Sequence, residues 1–200
     1  MLYAITDTPL MPNEKLFTGV EAALKGGCKL VQYRDKSNNT EKRLADAMRL
    51  LNLCDDYSAS LIINDDAQLA HQINAHGVHV GQRDGDVKAA RELLGVDAII
   101  GVTCHNSLEL AEKAVKDGAN YIAFGRFFSS HTKPFANEAP LSLLQEARKK
   151  FPHVMIAAIG GITVENAGSV LAAGADMLAV CHNLFSAENI ENQAQLFFNL

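Results

Sequence analysis

Short apolar, β-rich runs recur along the chain at residues 2–6, 29–34, 60–64, 77–80, 98–102, 120–125, 153–159 and 175–181, and most of the intervals carry helical spacing. Within 41–57, Leu44, Ala47, Met48 and Leu51 are three or four apart, and 108–115 repeats the pattern. Strands separated by helices predict parallel pairing. Four helix-to-strand joints look alike: "KGGCKLVQ", "AHGVHVGQ", "KDGANYIAFG" and "AAGADMLAV". In each, a Gly after the helix predicts a left-handed C-terminal cap. Strand starts fall roughly 20 to 30 residues apart, so eight βα units fill residues 1–200 as one domain. The expected fold is α/β, a single (β/α)8 TIM barrel, with a doubly wound open sheet as the alternative.

A barrel makes an internal test available, because such folds carry their chemistry at the C-terminal ends of the strands and hold phosphates in the loops after the last two. Polar residues do follow the apolar runs. The second strand ends in Gln32, Arg34 and Lys36, the third in Asn64 and Asp65, the fourth in Gln82 and Asp84, and the fifth in Thr103 and His105; the sixth runs into "GRFFSSHTKP" and the seventh into Gly160-Gly161. Any one of these reads as a cap or solvated loop residue. Together at one rim they read as a site.

In "LVQYRDK", strand alternation puts Gln32, Arg34 and Lys36 on one face, with Val31 and Tyr33 on the other. A guanidinium fork and an ammonium suit a phosphate or pyrophosphate, unless both simply pair with Asp35 on the surface. Asp65 and Asp84 leave adjacent strand ends and are placed to share Mg²⁺, with Asp66 and Asp86 as competitors. The segment after Gly125, with Ser130, His131, Thr132 and Lys133, is long enough for a lid whose lysine faces the same mouth. Beyond the diglycine, Thr163 is a candidate N-cap for a helix starting at Val164, an arrangement that offers bare N–H groups to a phosphate. The seven histidines make no zinc pattern, and Cys104 beside His105 reads as a buried thiol.

Composition narrows the class. With 48% hydrophobic residues and 20% charged, the chain can bury one substantial core, and a formal net charge of -5 argues against nucleic-acid or anionic-membrane surfaces. The four cysteines form no CxxC pair, and no basic leader or membrane-length apolar run is present, so a reduced cytoplasmic location is expected.

Eight motifs in order carry a family resemblance: "YAITD", "VQYRDK", "LIINDD", "GVHVGQRD", "IIGVTCH", "YIAFGRFFSSHTKP", "AIGGIT" and "GADMLAV". Over nearly the whole chain the sequence resembles the thiamine phosphate synthases. That resemblance implies a Mg²⁺-dependent transferase that joins a hydroxymethylpyrimidine pyrophosphate to a thiazole phosphate and releases pyrophosphate. It implies that Gln32, Arg34, Lys36 and Asn64 hold the pyrimidine and its pyrophosphate, and that Asp65 and Asp84 ligate Mg²⁺. Thr103, Ser130, Thr132 and Lys133 match further substrate contacts, with Thr103 and Ser130 exchanging one hydroxyl residue for another. Gly161 matches the glycine at the thiazole phosphate; Cys181 and His182 stand where many members carry Val-Ser. The implied chemistry is dissociative: the pyrimidine methylene leaves pyrophosphate as a cation, and the thiazole nitrogen captures it. Arg34, Lys36, Thr103 and Lys133 are the expected catalytic groups. The expected partners are these two small substrates and, as an open question, further copies of the chain in a homo-oligomer. Two rivals are a thiazole tautomerase on the same barrel, for which His131 would be the acid/base, and a non-catalytic sensor of a thiamine precursor.

Overall fold

In the computed structural model, which describes residues 1–82, 85–129 and 138–200, eight parallel strands close into a barrel in chain order. They are β1 (Leu2–Ile5), β2 (Leu30–Tyr33), β3 (Ser60–Asn64), β4 (Gly77–Val80), β5 (Ile99–His105), β6 (Tyr121–Gly125), β7 (Met155–Ile159) and β8 (Met177–Val180). Closure is direct, since β1 pairs with both β2 and β8. The open-sheet alternative is excluded.

The helices are α1 (Glu14–Lys25), α2 (Thr40–Asp56), α3 (Ala67–Ile73), α4 (Val87–Leu94), α5 (Leu108–Lys116), α6 (Ser142–Lys150), α7 (Val164–Ala172), α8 (His182–Phe185) and α9 (Ile190–Phe198). Strand alternation splits the buried residues into two cores. Ala4, Val31, Tyr33, Leu61 and Ile63 face outward into the shell beneath the helices. Tyr3, Ile5, Leu30, Ile62 and Tyr121 face inward and fill the barrel.

Three of the four joints end as the sequence predicts, with Gly27, Gly118 and Gly174 at φ 97°, 97° and 116°. The fourth differs. There Asn74 takes the left-handed position at φ 55°, a conformation Asn tolerates, and Gly77 already belongs to β4. Gly77 is small for another reason: a Cβ would stand 1.9 Å from the carbonyl oxygen of Ile99 on the neighbouring strand.

At the N-terminal rim, charged side chains serve the fold. Arg91 donates to the carbonyls of Ala98 (2.6 Å) and Gly118 (3.2 Å), and Asp176 accepts from the Ile156 amide at 2.7 Å while pairing with Arg148. Their donors and acceptors close the underside of the barrel, the face on which (β/α)8 proteins place stability rather than chemistry.

Candidate active site

The opposite rim carries the polar residues expected there. Gln32 is the last inward-facing residue of β2 and is buried. Beyond the strand, the Arg34 amide donates to Thr6 Oγ1 at 2.9 Å and its guanidinium to Asp7 Oδ1 at 3.0 Å, which ties the end of β2 to the end of β1. Lys36 pairs with Asp65 at the end of β3, and Asn64 Nδ2 donates to the same carboxylate oxygen at 2.6 Å. Asp35 plays no part in this arrangement. Its carboxylate points the other way, accepting from the Ser37 amide at 2.7 Å and pairing with Lys42 at 3.4 Å, so a simple surface pairing of Arg34 or Lys36 with Asp35 is ruled out.

Asp65 sits at φ 62°. The left-handed backbone costs energy that Asp bears better than most residues, and such outliers concentrate at functional sites. Its N–H remains tied to the His79 carbonyl at 2.7 Å, so the turn is fixed. The competing aspartates are occupied elsewhere. Asp66 caps α3 by accepting from the Leu69 amide at 2.9 Å and pairs with Arg43, whereas Asp86 accepts from the Lys88 amide at the start of α4.

On β5, Thr103 Oγ1 lies 2.8 Å from His79 Nε2, and the Gln82 amide donates to the Thr103 carbonyl at 2.6 Å. The strand runs past the expected end at residue 102 to His105, with a register shift between Thr103 and His105. Cys104 faces outward and is fully buried, and burial pushes its thiol up to about 12. It is no nucleophile at neutral pH.

Gly160 and Gly161, at φ 103° and 62°, form the turn after β7. Both are also required by contact: a Cβ on Gly161 would meet the Ser129 carbonyl oxygen at 2.2 Å, and one on Gly160 would meet Arg126 Cβ at 2.2 Å. The diglycine thus lets the chain after β6 lie against the end of β7. Thr163 follows as the N-cap of α7, its N–H donating to Asn166 Oδ1 at 2.9 Å.

These ends enclose two adjoining spaces. A cavity of about 360 Å³ is lined by Gln32, Arg34, Asn64, Thr103, Gly161, Cys181 and His182. A second, of about 560 Å³, is lined by Lys36, Asn64, Asp65 and Arg43, so Asn64 stands at the boundary of both. Asp84, Ser130, His131, Thr132 and Lys133 lie outside the described residues. Among the described residues no group of three or more His, Cys, Asp or Glu is placed to hold a metal. Asp65 nonetheless offers a partly exposed carboxylate at the mouth, the hard oxygen donor that a Mg²⁺ bound mainly by water and phosphate oxygens requires.

Sequence reasoning missed several members of this mouth, among them Asp7, Tyr3, His79 and Arg43. Tyr3 and Asp7 were legible only as part of "YAITD", and His79 only within "GVHVGQRD" and as a histidine outside any zinc pattern. Among the described residues, no helix is long and apolar enough to cross a membrane.

The family model for thiamine monophosphate synthase matches residues 2–184. The chain belongs to that family. A thiamine-phosphate synthase of Saccharophagus degradans is 56% identical over 200 residues, covering 100% of this chain and 92% of its relative. One from Alcanivorax borkumensis is 53% identical over 184 residues, covering 92% of this chain and 84% of its own length. Among solved structures, the thiamine phosphate pyrophosphorylase of Pyrococcus furiosus superposes with a TM-score of 0.89 at 31% identity, over 99% of this chain and 93% of that one. Membership of the thiamine monophosphate synthase family makes the chain a transferase of thiamine biosynthesis.

Proposed function

We propose that the two adjoining spaces bind the pyrophosphate ester of a hydroxymethyl-aminopyrimidine and a thiazole phosphate, and join them as thiamine phosphate with release of pyrophosphate. The observation that carries this reading is the division of the mouth. Gln32 and Thr103 stand in one space, Lys36 and Asp65 in the other, and Asn64 is common to both. A planar polar ring fits the first and its diphosphate the second, with Arg34 in the wall of the first and Asn64 where the two meet.

Lys36, as a mobile point charge, and Arg34, as a fork, bind the diphosphate oxygens and stabilise the negative charge that grows as the methylene–oxygen bond breaks. Lys133 adds a third cation in this reading, with Ser130 and Thr132 as hydroxyl contacts. Asp65 and Asp84 would hold a Mg²⁺, which would supply further positive charge to the leaving diphosphate. Gln32 orients the pyrimidine. Gly161, Cys181 and His182 surround the thiazole phosphate, whose ring nitrogen attacks in line with the departing group. No general base is needed, because the thiazole nitrogen attacks through a lone pair.

The deciding experiment mixes the purified protein with both substrates and Mg²⁺ and looks for thiamine phosphate by mass. Product whose formation depends on both substrates supports the reading. Binding of a precursor without product would establish the sensor instead, and isomerisation of the thiazole alone the tautomerase.

A further inference from the structure

The barrel interior contains a run of polar groups that joins Gln32 to Thr103 through three side chains with no role in the proposed reaction. Gln32 Nε2 donates to Tyr3 Oη at 2.6 Å, and the hydroxyls of Tyr3 and Tyr121 are 2.7 Å apart. Tyr121 Oη is 2.8 Å from His79 Nδ1, and His79 Nε2 is 2.8 Å from Thr103 Oγ1. The five side chains come from β2, β1, β6, β4 and β5, so the chain crosses the barrel from one lining residue of the cavity to another. The rings are fixed by packing. Tyr3 meets Tyr121 edge-on with centroids 5.7 Å apart, and His79 stacks on Tyr121 at 5.5 Å. Room for the Tyr121 ring exists because position 101 is glycine: a Cβ there would lie 1.9 Å from Tyr121 Cζ.

Such a chain has a direction. Burial pushes both phenols far above their ordinary range, so each keeps its one proton. Taken as neutral, the His79 imidazole donates from one nitrogen and accepts at the other. With Gln32 Nε2 donating into Tyr3, each link passes on its proton: Tyr3 to Tyr121, Tyr121 to His79 Nδ1, and His79 Nε2–H to Thr103 Oγ1. That sense leaves the Gln32 carbonyl oxygen and the Thr103 hydroxyl proton for the cavity. Turning the Gln32 amide over would reverse every link, so what one end offers is coupled to what the other end offers.

We propose that Tyr3, Tyr121 and His79 are positioning residues that hold the Gln32 carbonyl toward the cavity and align the Thr103 hydroxyl with it, thereby selecting a ring that presents an amino group at Gln32. The inference rests on the reading of this cavity as an aminopyrimidine site. A 4-oxo ring, which presents a carbonyl where the amino group belongs, confronts two acceptors with each other.

The test is the ratio of dissociation constants for the 4-amino and 4-oxo forms of the hydroxymethylpyrimidine pyrophosphate, measured by calorimetry without thiazole phosphate. Wild type is expected to favour the amino form. Tyr121→Phe, which removes a hydroxyl touching neither Gln32 nor Thr103, is expected to reduce that preference by roughly tenfold. A purely structural tyrosine would weaken both ligands together and leave the ratio unchanged, and that result overturns the proposal. Tyr3→Phe carries the same expectation if Tyr121→Phe does not fold. Wild type binding neither pyrimidine would remove the reading of the cavity and this inference with it; discrimination retained in both variants removes this inference alone.

Discussion

Lys36, at the end of β2, pairs across the mouth with the carboxylate of Asp65 at the end of β3, where the two side chains are 56% and 20% exposed. A pair so open to solvent adds little to stability, so replacing Lys36, or exchanging Asp65 for Asn, which tolerates the same left-handed backbone, tests chemistry rather than folding. Before substrate arrives each charge neutralises the other. In the proposed reaction a diphosphate gives Lys36 a second anion, and a hard dication gives Asp65 a second cation. Lys36→Ala is expected to lower kcat/KM by about a hundredfold or more, with a melting temperature close to wild type. Asp65→Asn is expected to abolish the dependence of the remaining rate on Mg²⁺ concentration. Initial rates across a MgCl2 series, alongside thermal melts, check both.

Asp7 holds the Arg34 guanidinium at 3.0 Å, with both side chains about one-fifth exposed. The contact fixes the direction of the fork without neutralising the whole mouth. Asp7→Ala is expected to raise KM for the pyrimidine pyrophosphate by roughly tenfold while changing kcat less, because orientation is lost and the cation is kept. Arg34→Lys should be far worse than a conservative exchange, since a single ammonium cannot serve Asp7 and a phosphate with parallel donors. Steady-state kinetics with each substrate varied in turn separates the two effects.

The strands were legible because a fully buried parallel strand reads as an apolar run, and the rim was legible because polar residues recur just after each run. The pairings within the rim were not. Arg34 and Asp7 are far apart in sequence, as are Lys36 and Asp65, and only the parallel pairing of β2 with β1 and with β3, in the observed register, brings them together. Tyr3 and Tyr121 read as ordinary β formers, because alternation shows which face a tyrosine takes but not whether its hydroxyl meets another across the barrel. At the joint before β4, glycine signalled close strand contact rather than a cap, since both needs select the same residue.

Asp35 predicts an acid limit to stability. Its burial opposes the charged form, but the Ser37 amide and Lys42 together outweigh that cost and hold its carboxyl below the ordinary aspartate range. A carboxyl depressed in the folded state contributes stability that is fully present above its unfolded pKa and is lost as pH falls through the folded one. The contribution of Asp35 is therefore intact at about pH 5 and above and declines below about pH 4. Asp35→Asn should destabilise the protein by roughly 1–3 kcal/mol at about pH 7, and the difference from wild type should shrink as the solution is made more acidic. Urea unfolding at a series of pH values measures it.

Two glycines near the end of β7 should respond in opposite ways to alanine. Gly168, within α7, is exposed, and a Cβ added to it would have nothing within 4 Å. Alanine there removes backbone freedom from the unfolded chain without a clash, so Gly168→Ala should stabilise by about 0.5–1 kcal/mol and leave kinetics unchanged. Gly161 combines φ 62° with a Cβ position 2.2 Å from the Ser129 carbonyl and 2.8 Å from Phe128 Cβ. The backbone after β6 would have to retreat, opening the wall of the proposed thiazole phosphate site. Gly161→Ala should lower the melting temperature and raise KM for the thiazole phosphate by at least about tenfold, because a misplacement of about 1 Å can cost a hundredfold in rate. The KM for the pyrimidine pyrophosphate should move much less, since Gln32, Arg34 and Lys36 hang from β2 on the far side of the barrel from β7. Equal losses for both substrates would show that the turn after β7 supports the whole mouth rather than one phosphate.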